Sequence, residues 1–165
     1  MRRLISMLPL VVSVLLGAGC DEDPADLCAV DAGIAPGCGL TVAGEPVRLG
    51  DPRADVALLL GDPGMASTFP GVGSCDVYSA QGLSVLYPDS GADLADALIV
   101  LDGFTGTTAE GIGIGSAEAN VTAAYGTGSR DAFLGSAWHL DRGLGFEFGD
   151  GVVTRVHVIP ADGDE

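Results

Sequence analysis

Apolar positions along this chain recur with two periods. Val56, Leu59 and Leu60 fall at helical spacing within residues 51–60, and Val121, Ala124 and Tyr125 do so within residues 116–125. Both segments predict short amphipathic helices. Asp51 and Ser116 are the expected N-caps, their side-chain oxygens accepting the first free N–H groups. Pro52 suits a first turn, and Asp55 and Glu118 lie near the positive end of the helix dipole. Gly61 and Gly126 are the expected left-handed stops. Elsewhere the period drops to two. Leu83, Val85 and Tyr87 alternate on one face, as do Leu144, Phe146 and Phe148. Further strands are expected over 97–101 and 153–159, with Gly149-Asp150-Gly151 as a hairpin turn.

These signals repeat. Val47-Arg48-Leu49-Gly50 and Ile112-Gly113-Ile114-Gly115 open two similar stretches, each reaching a second glycine, Gly61 or Gly126, after the same interval. Residues 76–87 then match 137–148. The expected fold class is α+β, built of two tandem units, each a short helix followed by about three antiparallel strands. The expected units span 46–104 and 105–160, with an acidic tail at 161–165. One such unit alone is too small to bury much core.

The first 19 residues form a different class of segment. Arg2 and Arg3 precede an apolar run, Leu4 to Leu16, and the small residues Gly17, Ala18 and Gly19 follow. This is the layout of a secretory signal, with an apolar run too short for a bilayer span. Leu15-Leu16-Gly17-Ala18-Gly19-Cys20 resembles a bacterial lipobox. That resemblance implies a diacylglycerol on Cys20 and a membrane-anchored mature end in the cell envelope. Cleavage by an ordinary signal peptidase would instead give a soluble periplasmic or secreted protein. Residues 20–45, rich in Asp, Ala, Gly and Pro, read as a tether. The lipobox followed by Gly50…Val56…Gly61 and Gly115…Val121…Gly126 is similar to outer-membrane-assembly lipoproteins of the BamE/SmpA type. The duplication is similar to tandem β-lactamase-inhibitor proteins. These likenesses imply envelope proteins that work by binding other proteins.

Charge narrows the partners. The chain has 23 Asp and Glu against seven Arg and no Lys, a formal net charge of −16. Phosphate backbones and anionic lipid surfaces repel such a chain, so nucleic acid is excluded as a partner. Of the four cysteines, Cys20 is the lipidation candidate. Cys28, Cys38 and Cys75 are disulfide candidates in an oxidising compartment. Cys28 and Cys38 bracket a short Gly/Pro loop. Pairing of Cys75 with one of them is the alternative.

Candidate chemistry is sparse. His139 and His157 are the only histidines, and neither accompanies a nucleophile or metal motif. No zinc spacing, calcium loop or nucleotide fingerprint occurs, so no catalytic residue, metal or cofactor is assigned. Phe69, Phe133 and Trp138 are the candidate partner-binding residues, because loop-borne aromatics dominate interface hot spots. The expected function is a non-catalytic protein-binding or scaffolding module of the cell envelope. The rival readings are an exported hydrolase pairing a histidine with a carboxylate, and a soluble inhibitor-like protein.

Overall fold

The computed structural model describes residues 33–71, 73–91, 93–131 and 135–162. A small sheet comes first, from β1 (Ile34–Ala35), β2 (Gly39–Val42) and β3 (Glu45–Arg48). Helix α1 (Arg53–Leu60) follows. Next come β4 (Met65–Phe69), β5 (Gly73–Tyr78), β6 (Leu83–Pro88) and β7 (Ala97–Val100). Helix α2 (Glu118–Tyr125) leads into β8 (Ser129–Asp131), β9 (Ser136–His139), β10 (Leu144–Gly149) and β11 (Val152–Val158). The last eight strands form one antiparallel sheet in the order β4-β5-β6-β7-β11-β10-β9-β8.

This architecture overturns the α+β expectation. Among the described residues the fold is mostly β, with two eight-residue helices, one eight-stranded sheet and one three-stranded sheet. It is not two helix-plus-three-strand units. The physical reason lies in the helices and in one strand pair. Each helix buries a single residue completely, Val56 or Val121, so neither can anchor a unit of its own. Pairing of β7 with β11, Val100 opposite Val156 and Leu98 opposite Val158, fuses the strands into one ladder. Strands β4 and β8 occupy segments expected to be loops, and they make the two edges of the large sheet.

The small sheet also departs from the tether reading. Ile34, Leu40 and Val42, inside residues 20–45, are buried together with Val47. They join the same core cluster as Leu83, Val85, Tyr87, Leu144 and Phe146. Helices and small sheet therefore pack on one face of the large sheet.

Backbone bonds around the two helices are equivalent, position by position. Gly50 N–H donates to Ala95 O at 2.7 Å, and Gly115 N–H donates to Val153 O at 2.8 Å. Arg53 N–H reaches Asp93 O at 2.9 Å, and Glu118 N–H reaches Gly151 O at 3.0 Å. The expected N-caps do something else. Pro52 and Ala117 occupy the cap positions, without a side-chain bond. Asp51 Oδ2 accepts from Arg48 N–H at 2.7 Å and Ser116 Oγ accepts from Gly113 N–H at 3.0 Å, so both side chains brace the turn before the helix. Gly61 and Gly126 end the helices at φ +85° with ψ near extended values, a conformation open essentially to glycine alone.

Candidate functional site

Strand alternation divides the large sheet into two unlike faces. The covered face holds the core. The opposite face carries one residue from every strand in a continuous cross-strand row: Met65, Val77, Ser84, Ile99, His157, Gly145, Trp138 and Ser129. No helix of the described residues packs on this row. Around its centre the face forms a hollow of about 310 Å³ lined by Met65, Val77, Ser84, Ile99, Leu101, Glu147, Arg155 and His157.

The two ends of the row differ in chemistry. On one side Met65, Val77 and Ile99 provide an apolar floor, with Met65 57% exposed. On the other side His157 is locked by its neighbours. Its Nε2 lies 2.8 Å from Glu147 Oε1, while Arg155 Nη1 donates to Glu147 Oε2 at 2.8 Å. The Trp138 ring tilts against the His157 ring, with centroids 5.0 Å apart. Trp138 Nε1–H donates to Ser136 Oγ at 2.8 Å. Gly145, between Trp138 and His157 in the row, is required here. A Cβ at this position would fall inside van der Waals contact of the Trp138 ring.

Burial lowers the His157 pKa below its usual value, and the hydrogen bond and charge of Glu147 act in the opposite direction. This direction favours the neutral ring. With Nε2–H donated to the carboxylate, Nδ1 is left as the acceptor. His157 and a carboxylate therefore converge at a hollow, which is the geometry a histidine general base requires. The only other histidine is placed differently. His139 sits on the covered face, 4% exposed, with its ring 5.7 Å from that of Tyr125 and 6.0 Å from that of Phe146. Burial lowers its pKa as well. It is buried beside Tyr125 and Phe146.

The remaining candidates are scattered. Trp138 lies on the open face. Phe69 lies at the end of edge strand β4, half exposed. Phe133, Cys20 and Cys28 lie outside the described residues. Cys38 is disulfide-bonded. Cys75 carries a free thiol, half-buried on the open face, sharing a 2.8 Å hydrogen bond with the Ser84 hydroxyl. Sequence reasoning missed Glu147 and Arg155. Both sit in expected strands. Glu147 alternates with Leu144, Phe146 and Phe148 but carried no motif. A register shift opposite it leaves Thr154 and Arg155 both exposed between Val153 and Val156, so Arg155 breaks the alternation of β11.

A second ionic cluster belongs to the covered face. Asp76, 1% exposed, accepts from Arg53 Nε at 2.7 Å and also pairs with Arg53 Nη2. The Arg53 guanidinium lies over the Tyr87 ring, 5.1 Å from its centroid. It fastens α1 to β5 and β6. Another hollow, of about 440 Å³, lies beside the β2–β3 turn and includes Thr41, Gln81, Phe104 and Thr105, with no ionisable side chain in its lining. Among the described residues no group of three or more His, Cys, Asp or Glu is placed to hold a metal ion. No helix of the described residues is long and apolar enough to cross a membrane. No protein-family model matches the sequence, no curated protein matches it, and no solved structure matches the fold.

Proposed function

We propose that this protein is a non-catalytic binding module of the cell envelope, anchored through an acylated Cys20, that holds another envelope protein on the open face of its large sheet. The observation that carries this reading is the continuous row from Met65 to Trp138. A sheet face this long, left uncovered by the helices of the described residues and set with Val77, Ile99, a tryptophan and a pinned ionic cluster, suits a protein surface better than a small molecule. The apolar half offers burial, and Glu147 with Arg155 offers directional polar contacts at the rim. The lipobox resemblance and the export signal support the location.

The anchor is tested by the mass of the mature protein from native membranes, with and without Cys20→Ser. A diacylglycerol-sized increment on Cys20, lost together with membrane association in the variant, supports the anchor. An unmodified protein in the soluble fraction removes it and favours the secreted inhibitor-like reading.

One observation favours a second reading. The His157–Glu147 pair at the hollow could activate water as an exported hydrolase does. His157→Gln and Glu147→Gln separate the two readings. A hydrolase loses turnover in both, whereas a binding module retains its partner contact through Trp138 and Ile99.

A further inference from the structure

The two edges of the large sheet are not equally protected. Strand β8 is three residues long and ties Arg130 to Glu118 of α2. Charged side chains and shortness are the ordinary means by which an edge is kept from pairing. Strand β4 has neither. Its sequence, Met65-Ala-Ser-Thr-Phe69, is five residues with no charge, and every residue except Ser67 is exposed. Met65 is 57% exposed and Phe69 50%. No charged residue occurs anywhere between Pro63 and Cys75, in a chain whose net charge is −16. Like copies therefore repel each other least at this edge.

We propose that β4 pairs with β4 of a second copy of this chain, antiparallel, about a two-fold axis at Ser67. The strand is complementary to itself in that register. Met65 falls opposite Phe69 of the other copy on the open face, and Ala66 falls opposite Thr68 on the covered face. The Met–Phe pairs bring sulfur against an aromatic ring, a favourable contact, at both ends of the junction. Pro63 and Pro70 flank the strand and stop the ladder from extending. Because β4 meets β4, the contact is isologous and closes as a dimer. A head-to-tail β4–β8 contact would grow into a filament, and the charge of Arg130 on β8 opposes it. The open faces of the two copies become one continuous surface, extending the row that begins at Met65.

Five residues per strand bury little area, so association is weak, reversible and dependent on concentration. Salt strengthens it by screening the mutual repulsion of two acidic chains. Sedimentation equilibrium of the full chain in density-matched non-ionic detergent tests this across protein concentration and salt. The expected result is a monomer–dimer equilibrium that shifts toward dimer with salt. Ser67→Lys sets like charges against each other at the axis and weakens the dimer by about tenfold or more. Thr68→Glu does the same from the other face. Arg130→Ser, at the opposite edge, leaves the dimer constant unchanged. Hydrogen exchange of the amides of 65–69 slows as the dimer fills. Unchanged circular dichroism in the edge variants keeps the comparison valid, and either of the two edge variants suffices. A monomer at every concentration and salt overturns the proposal, as does a dimer indifferent to both edge variants.

Discussion

Glu147 Oε1 lies 2.8 Å from Nε2 of His157, although the two residues do not face each other in the ladder. Glu147 is opposite Arg155, and His157 is opposite Gly145. One carboxylate therefore spans two residues of β11 and ties an arginine and a histidine into a fixed cluster. Burial and this carboxylate pull the histidine in opposite directions, and burial prevails. The His157 resonance in an NMR titration is expected to midpoint below about 6.5, the ordinary histidine value. Glu147→Gln removes the opposing influence and moves the midpoint lower still. A higher midpoint in that variant would contradict the assignment.

His139 and His157 share a sign, since both have pKa values below the ordinary one. The unfolded chain then takes up protons in a range of pH where the folded chain does not. Stability is expected to be flat above the unfolded histidine pKa. The histidine contribution declines as pH falls from about 6.5 toward the folded values and is fully lost below them. Urea midpoints measured across this range check it. His139→Phe removes part of the decline, because the buried ring on the covered face no longer has to be kept neutral.

The Arg53–Asp76 pair predicts an asymmetry between partners. Asp76 has 2% of its side chain exposed, whereas Arg53 has 32%. Arg53→Met strands a buried carboxylate, and the expected loss is about 3 kcal/mol. Asp76→Asn leaves a cation that can still reach water, so its cost is smaller. Denaturant unfolding of the two variants reads the difference directly.

Trp138 is the only tryptophan, so its emission reports on the open face alone. Gly145→Ala pushes a methyl group into the ring and must displace it. The expected result is a red-shifted emission and a loss of about 1–3 kcal/mol, the usual cost of overpacking. Gly61→Ala is the control. A Cβ there meets nothing, so its cost comes from the positive φ and leaves the emission unchanged.

Parts of this fold were legible from sequence because one-sided burial writes itself as a period of two. Leu83, Val85 and Tyr87 alternate in the sequence and are all fully buried on one face. The helix positions and their terminal glycines were legible for a similar reason, since few residues tolerate the φ of Gly61 and Gly126. The fold class was not. Pairing of β7 with β11 leaves no local trace, and it turns separate strand sets into a single sheet. The edges were invisible too. Every residue of β4 but Ser67 is exposed, so burial imposes no alternation on it. The three-stranded sheet was masked by Gly- and Pro-rich turns, although Leu40, Val42 and Val47 already formed a buried set. At the candidate site Trp138 could be singled out by residue type. His157 could be singled out in the same way, but Glu147 and Arg155 could not, because neither residue type nor motif marks a strand Glu or Arg as part of a histidine cluster.

Site-specific photocrosslinking in cells tests the binding account most directly. A photoreactive residue is placed at Ile99, in the centre of the open row, and in parallel at Leu58, 87% exposed on helix α1 of the covering layer. The account predicts one discrete adduct at Ile99, abolished by Trp138→Ala, and none at Leu58. An adduct at Leu58 with none at Ile99 would place the partner on the helical layer and contradict the assignment of the open face.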